Sequence, residues 1–366
     1  MTTRLVSSPL RQRWSQLGNL GFMLVYGIPA LLIGSTWLGA GSAQPQLWVW
    51  VPLAIGYVLV PLLQALWPYP APLLDAGHCH GAWLLYHRCL LWFSLPAQLG
   101  MLYVATDYAV SGPLQGWSVL GHLLTTGVFS AIFAINISHE LIHRPQALDR
   151  LLGGLLLSTV CFGTFKVVHV QIHHRYVATP FDFATARRGQ SIYAFWWQCW
   201  VGNVRDAWHC ERARLAKLQQ PWWRSELLAW YSYSLLWLTL ALALWGWQGG
   251  LFFLAQALLA IMKLDCINYL QHYGLTRRLG PDRRYEPVQA QHAWSQGLFV
   301  HDLLLLNLFR HGDHHAHPQL PYHLLRADRP APQYPYNYAL MVCLIFVPRL
   351  FQAVVHPILD SVEVEA

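Results

Sequence analysis

Six apolar stretches constrain the fold of this 366-residue chain more than any other feature. Each is about 20 residues long, the length that an α-helix needs to cross a bilayer. Hydrophobic residues make up 55% of the chain and charged residues only 11%, which excludes a disordered chain and argues against a soluble globule. The sequence therefore predicts an all-α integral membrane protein with a single domain over residues 1–366. The six predicted transmembrane helices cover residues 20–39, 47–67, 82–104, 114–137, 227–247 and 249–270.

The lysine and arginine residues predict how the chain is oriented in the membrane. Apart from Arg88 and Lys263, which fall inside spans, they precede the first span or lie in residues 138–226 and 271–366. Connections rich in lysine and arginine stay on the cytoplasmic side. We therefore expect a multi-pass protein of the inner (cytoplasmic) membrane, with both termini and both long polar regions in the cytoplasm. This asymmetry also accounts for the net charge of +7, so nucleic-acid binding is not expected.

Other patterns exclude several kinds of site. The seven cysteines form no CxxC pair, which excludes an iron–sulfur, rubredoxin-type or zinc-ribbon site. No internal repeat is visible, which argues against a transporter built from repeated halves. Residues 338–355 are apolar but are interrupted by Pro348 and Arg349, so we expect an interfacial or re-entrant helix there rather than a seventh span.

Four histidine clusters lie in the two long polar regions and indicate a metal site. The spacing of His139 and His143 places both side chains on one face of a helix, where they can bind one metal ion. His169 and His173 have the same spacing, and His174 lies a step round the helix toward a second ion. Nine imidazoles are too many for one ion, and on two octahedral ions they would leave about three positions open. The nine candidate ligands are His139, His143, His169, His173, His174, His272, His311, His314 and His315.

Histidine ligands need an acceptor for the ring nitrogen that does not bind the metal. The candidate acceptors near the clusters are Glu140, Asp182, Asp302, Asp313 and Gln271. Histidines within spans, His87 and His122, are expected to be packed or hydrogen-bonded. The remaining histidines are expected at the surface or at an interface, namely His78, His80, His209, His292, His301, His317, His323 and His356.

The four clusters resemble those of the membrane-bound di-iron oxygenases, and within that group those of the alkane monooxygenase (alkane hydroxylase) family. The similar segments are HELIHR at 139–144, HVQIHHRYVATPFD at 169–182, NYLQHYGL at 268–275 and LFRHGDHHAHP at 308–318. The resemblance implies two iron ions held by the nine histidines, with O2 as co-substrate. It also implies electrons from a separate rubredoxin or ferredoxin-type donor with its reductase. The reaction implied is hydroxylation of an unactivated methyl C–H bond of a hydrophobic substrate, namely terminal hydroxylation of an alkane.

Three positions depart from the pattern of the alkane enzymes. Val168 and Ile172 stand where these enzymes usually have Glu and Gly, and Gln271 stands where they usually have Glu. Gln271 and residues 188–193 are more similar to the relatives that oxidise the methyl groups of xylene and toluene, whereas the fourth cluster is more similar to the alkane enzymes. Benzylic methyl hydroxylation is therefore an alternative reaction.

Three further functions compete with this interpretation. A fatty-acyl desaturase, hydroxylase or decarboxylase is built on a similar histidine-rich plan and would act on a carboxylated or thioester chain. An intramembrane zinc protease would use HELIH at 139–143 with Glu140 as general base, but it leaves seven clustered histidines unexplained. A metal transporter would carry ionisable residues in the middle of its spans, whereas most of these histidines lie at the predicted membrane surface.

Overall fold

The computed structural model describes residues 18–67, 69, 81–327 and 330–365. Apart from an isolated bridge between Leu279 and Tyr285, the regular elements of these residues are helices. This confirms the predicted all-α fold. Five of the described helices are long and apolar enough to cross a membrane.

The first four of these long helices correspond to the first four predicted spans. They are α1 (Gly18–Ala40), α2 (Pro45–Leu66), α3 (Ala82–Ser111) and α4 (Trp117–Ile142). Two of them contain a π-helical segment, at Ile55–Leu59 in α2 and at Ala131–Ile135 in α4. The helix α4 ends five residues later than predicted and therefore carries His139 in its last turn.

Three helices that are not among these five follow α4. They are α5 (Ala147–Ser158), α6 (Gly163–Val168) and α7 (Ile192–Lys217). The helix α6 continues into a π-helical turn at His169–His173 and a last helical turn at His174–Tyr176. The helix α7 begins after Ser191, whose hydroxyl accepts a hydrogen bond from the backbone N–H of Ala194, as is usual for a serine at a helix N-terminus.

The last of the five long helices is α8 (Glu226–His272), which covers the fifth and sixth predicted spans. Gly246 is the residue inside α8 with non-helical backbone angles (φ 63°, ψ −160°), a conformation that glycine adopts readily. A Cβ atom at Gly250 would lie 2.5 Å from the side chain of Leu242 and 3.5 Å from that of Leu238. Residues 238 and 250 would be about 18 Å apart in a straight helix. The two parts of α8 therefore fold back on each other at Gly246 as a helical hairpin.

The helices α5 and α6 form a second hairpin, which packs against both arms of the α8 hairpin. Trp237 donates a hydrogen bond to the hydroxyl of Ser158 (2.9 Å), and Gln256 donates one to the carbonyl of Thr159 (3.1 Å). Both donors lie more than ten residues from the ends of α8. The tip of the α5–α6 hairpin therefore lies deep among the apolar helices, although it comes from the polar region 138–226 of the sequence.

Four further α-helices follow α8. They are α9 (Phe299–Leu304), α10 (His311–Ala316), α11 (Tyr338–Leu344) and α12 (Pro348–Glu365). The expectation of one helix over residues 338–355 is wrong, because Pro348 lacks a backbone N–H and begins a new helix instead of continuing α11. Side chains of α11 and α12 join the largest cluster of buried apolar residues, which also contains residues of α1, α3, α4 and α8.

The close packing of α5 on α8 leads to a testable prediction. A Cβ atom at Gly154 would lie 2.4 Å from the ring of Trp230, whereas a Cβ atom at Gly34 would meet no atom within 4 Å. We expect Gly154→Ala to lower the stability of the protein by about 1–3 kcal/mol, the usual effect of overpacking. Thermal unfolding in detergent, with Gly34→Ala as the control, measures this effect. Equal unfolding temperatures in the two variants would contradict the packing described here.

Candidate metal centre

The four histidine clusters meet where four helical segments end or begin. His139 lies in the last turn of α4 and His143 directly follows that helix, while His272 is the last residue of α8. The π-helical turn after α6 contributes two histidines, the helical turn that follows it contributes His174, and α10 contributes three more. The structure gathers all nine candidate ligands into two adjacent groups. One group has five members (His139, His143, His169, His174 and His314) and the other has four (His173, His272, His311 and His315).

In the five-histidine group, the Nε2 atoms converge on one point. The Nε2 atom of His169 lies 3.1 Å from that of His143 and 3.0 Å from that of His174. The Nε2 atom of His174 lies 3.2 Å from that of His314. Two nitrogens that are each about 2.1 Å from one ion, at right angles, are about 3.0 Å apart. The spacing therefore matches neighbouring ligands of a single metal ion.

The four-histidine group has the same geometry. The Nε2 atom of His311 lies 3.1 Å from that of His272 and 2.9 Å from that of His315. The two groups are in contact, since the rings of His174 and His315 stack with their centroids 4.5 Å apart. The arrangement can therefore hold two neighbouring ions.

Two ring nitrogens support the same interpretation. The Nε2 atoms of His139 and His173 are buried and have no hydrogen-bond partner within the described part of the chain. Each belongs to one of the two groups, so all members of a group have a ligand atom within 4.8 Å of the others. A buried polar atom without a partner is costly, and binding to a metal ion would satisfy it. The residues present therefore fit a pair of imidazole-ligated ions.

The pairing predicted within the second cluster is wrong. The spacing predicts that His169 and His173 share one ion, but His169 joins His174 in the five-histidine group and His173 joins the other group. The reason is the π-helical turn at His169–His173, in which residues five apart, rather than four apart, repeat along one face. In α10, which is an ordinary helix, His311 and His315 do pair at a spacing of four.

Six of the rings that lie outside the membrane-spanning helices are held in their neutral form. Burial, reinforced by the neighbouring imidazoles, holds the pKa of five of them well below the ordinary value of 6.5. These five are His169, His174, His311, His314 and His315. Burial lowers the pKa of His143 to about 4. Neutral imidazole is the form that binds a metal ion, so these rings are ready to act as ligands at neutral pH.

Among the candidate acceptors, Asp182 bonds directly to a ring of the metal centre. Its Oδ2 atom lies 2.9 Å from Nδ1 of His173, and both side chains are buried. Asp182 also accepts hydrogen bonds from Ala184 N (3.0 Å) and the Thr185 hydroxyl (2.7 Å), which fix its orientation. A carboxylate in this position fixes the ring so that Nε2 points at the metal.

The other candidate acceptors bond to residues that position the clusters. Glu140 accepts a hydrogen bond from Arg144 (2.5 Å), and Asp302 accepts one from the buried Arg310 (2.7 Å). Asp313 is 2.9 Å from Nδ1 of His317. Gln271 donates to the carbonyl of Leu308 (3.3 Å). The Asp302 and Gln271 contacts connect α9 and α8 with the segment that leads into α10, whereas the Glu140–Arg144 pair lies at the end of α4.

Some histidines outside the clusters are buried, contrary to expectation. His292, His301 and His323 are at most 6% exposed, although the sequence predicts them at the surface or at an interface. His323 stacks on His87 with ring centroids 3.8 Å apart, and His87 bonds to the hydroxyl of Tyr322 (2.6 Å). No short motif marks these histidines in the sequence. Their only signal is proximity to the clusters or to an apolar run.

An apolar cavity of about 350 Å³ lies next to the metal centre and is lined by parts of α1, α2, α4 and α8 and by residues of α9 and α11. A smaller cavity separates it from the two groups and is lined in part by His139, His169 and His311. The two cavities share four lining residues, which are Ile132, Lys263, Ile267 and Leu308. The two cavities are therefore adjacent, and the smaller one borders both histidine groups.

Comparison with known proteins identifies the family. Residues 115–344 match the sequence model of the fatty acid desaturase family. Alkane 1-monooxygenase 1 of Pseudomonas aeruginosa is 38% identical, over 88% of this chain and 85% of that protein. Alkane 1-monooxygenase 2 of the same organism is 36% identical, over 91% of this chain and 89% of that protein. The chain belongs to the alkane monooxygenase family. It is therefore an oxidoreductase.

A second branch of relatives is also similar to this member of the alkane monooxygenase family. The xylene/toluene monooxygenase hydroxylase component of Pseudomonas putida is 34% identical, over 67% of this chain and 65% of that protein. The relatives thus include both kinds of methyl-oxidising enzyme that the motifs predicted. The family assignment confirms the resemblance found in the sequence.

The contact between Asp182 and His173 leads to a second prediction. Asp182→Asn removes the charged acceptor but keeps an oxygen for Ala184 N, so the local fold should survive. We expect metal affinity at the four-histidine group to fall about 10–100-fold, the usual effect of losing such a partner, while the five-histidine group is unaffected. Metal content after dialysis against graded chelator measures this. The control is Asp206→Asn, which removes a carboxylate paired with the exposed Arg205, and equal metal loss in both variants would contradict the assignment.

Proposed function

We propose that this enzyme hydroxylates the terminal methyl group of an alkane, with two iron ions held by the nine histidines. The observation that carries the proposal is the pair of histidine groups at the end of an apolar cavity. An unactivated C–H bond offers no group for acid–base catalysis, so the oxidising power must come from the metal ions and O2. Five and four imidazoles leave one and two positions free on two octahedral ions, which is room for O2.

The protein contributes position and a dry environment. The rings of the four-histidine group are buried, and the adjoining small cavity is lined by apolar side chains such as Ile135, Leu264 and Leu308. An alkane has no polar group to bind, so shape and exclusion of water must place its methyl carbon. The smaller cavity, of about 30 Å³, supports binding of the chain by its end, which favours terminal hydroxylation.

The substrate would reach this cavity from the membrane. Leu24 is 50% exposed and Gly27 is also exposed, and both line the cavity on α1, opposite Gly56 and Val60 of α2. An opening between two membrane-spanning helices faces lipid, where alkanes are concentrated.

We propose that the chain crosses the inner membrane six times, with both termini and the metal centre on the cytoplasmic side. The hairpin at Gly246 supports two crossings by α8, because each part is about 20 residues or longer. Ser158 and Thr159 accept hydrogen bonds from Trp237 and Gln256, one on each arm of α8. These bonds support a re-entrant position for the α5–α6 hairpin. The distribution of lysine and arginine supports the orientation.

Electrons would come from a separate protein, a rubredoxin or a ferredoxin-type donor with its reductase. The absence of a CxxC pair means that the chain has no such iron–sulfur site of its own. Arginines near the metal centre, including Arg187, Arg188, Arg277 and Arg278, give that side a basic character that suits an acidic donor.

A second candidate reaction is benzylic methyl hydroxylation. It is favoured by the similarity to the xylene/toluene monooxygenase component. It is also favoured by Gln271, the buried residue directly before His272, at which the sequence is more similar to the xylene-type relatives.

Feeding cells with octane and p-xylene together distinguishes the two reactions. We expect oxygen-dependent 1-octanol to exceed methylbenzyl alcohol in cells that express the chain with a rubredoxin and its reductase.

Changing His173 or His314 to Ala should abolish turnover while the protein still inserts, because each change removes one ligand from a different group. Gas chromatography of the products under air and under argon measures both effects. Retained activity in either variant would contradict the nine-histidine assignment.

The position of Gly27 predicts an effect on substrate length. Leucine at this position would extend into the cavity, since a Cβ atom there meets nothing within 4 Å. We expect Gly27→Leu to reduce turnover of hexadecane at least tenfold more than turnover of octane, on the order of the effect of one or two lost methylene sites. The control is Gly34→Leu, on the same helix but outside the cavity. The same chain-length profile in both variants would argue against this entry route.

A further inference from the structure

Lys263 is a cationic residue at the boundary between the two cavities. It lies on α8, nine residues before His272, and therefore about 13 Å from the end of that helix. Its side chain lines both the large apolar cavity and the small cavity that borders His139, His169 and His311. A chain that extends from the large cavity into the small one would lie beside Lys263.

The ammonium group of Lys263 has no carboxylate partner among the described residues. Its Nζ atom lies 5.4 Å from the centroid of the Tyr57 ring, which also lines the large cavity. An ammonium held over an aromatic ring keeps unused N–H donors. A cation in apolar surroundings is costly unless it finds an acceptor, so a ligand with an oxygen atom would be favoured here.

The alkane brings no acceptor to this position, but its oxidation product does. In the proposed reaction the carbon next to the metal centre gains a hydroxyl group. When the chain moves back toward the large cavity, that hydroxyl reaches the residues that line both cavities, among them Lys263. The alkane and the alcohol therefore differ in that only the alcohol offers Lys263 an oxygen atom as hydrogen-bond acceptor.

We propose that the ammonium of Lys263 binds the oxygen of a chain-terminal hydroxyl, so that the cavity holds a primary alcohol more tightly than the alkane of equal length. The identity of this alcohol as a reaction product rests on the proposed function, whereas its preferential binding does not. Lys263 is thus a specificity-determining residue at the point where product leaves the metal centre. It makes the enzyme sensitive to inhibition by its own product.

Binding measurements on the intact protein in lipid nanodiscs test the proposal. The probes are 1-octanol and 1-fluorooctane, which have similar size but differ in that fluorine is a poor hydrogen-bond acceptor, with octane as the reference. Thermal stabilisation at a series of bilayer ligand concentrations gives the dissociation constants without turnover. We expect wild-type protein to bind 1-octanol roughly tenfold or more tightly than 1-fluorooctane, as for a hydrogen bond to a charged group.

Two variants assign the preference to the side chain. Lys263→Met keeps the length of the side chain and removes the charge, so the two ligands should bind equally. Lys263→Arg keeps a cationic donor and should retain the preference. An inhibition constant of 1-octanol against octane turnover that rises in Lys263→Met by the same factor would support the assignment in the working enzyme.

The outcomes separate this proposal from the proposed function. Equal binding of 1-octanol and 1-fluorooctane by wild-type protein overturns the role of Lys263, even if Lys263→Met fails to fold. A preference that survives in Lys263→Met also overturns it, because the hydroxyl would then be binding elsewhere. A preference that depends on Lys263 in a protein without alkane turnover supports the binding site and refutes only the proposed reaction.

Discussion

Buried imidazoles whose ring nitrogens approach within about 3 Å need a shared positive partner. A neutral imidazole has a single N–H, so a set of converging Nε2 atoms cannot satisfy itself by hydrogen bonding alone. In this chain the converging Nε2 atoms of both groups lie 2.9–3.2 Å apart. A metal ion in each group turns mutual repulsion into ligation. The ends of α4, α6 and α8 and the start of α10 are brought together at this point, so the local fold depends on it.

Helix geometry distributes the rings between the two ions. An ordinary helical turn places His311 and His315 on one ion and sends His314 to the other. The π-helical turn after α6 lengthens the repeat, so His169 is matched with the residue five positions later. The same kind of segment occurs at Ile55–Leu59 and Ala131–Ile135, and residues of both line the large cavity. Wider helical turns thus shape both the ligand set and the space beside it.

The sequence predicts much of this arrangement, for identifiable reasons. Long apolar runs predict the membrane helices, because no other structure satisfies their backbone in lipid. The clusters identify the nine histidines that the structure gathers, because ligand spacing is a local property. The sequence does not predict the pairing of His169, since a π-helical turn leaves no compositional trace. Nor does it predict the burial of His301 or the role of Gly246, because these depend on packing between distant segments.

The account also explains why a polar centre and an apolar cavity occur in one molecule. The metal ions require fixed, neutral ligands, whereas the substrate requires a space that water avoids. Two of the helices that carry ligands at their ends, α4 and α8, also line the cavity along their length, so the same elements meet both needs. Lys263 places a cation in this lining, at the boundary with the smaller cavity that borders the histidines.

The central claim is that the nine histidines hold two metal ions, and that these ions are iron. Quantitative metal analysis of the purified, membrane-extracted protein, combined with Mössbauer spectroscopy of protein enriched in 57Fe, tests this most directly. The account predicts two iron ions per chain in nitrogen-rich, non-identical environments, because one group has five imidazoles and the other has four. A single metal ion per chain, or zinc in place of iron, would contradict it.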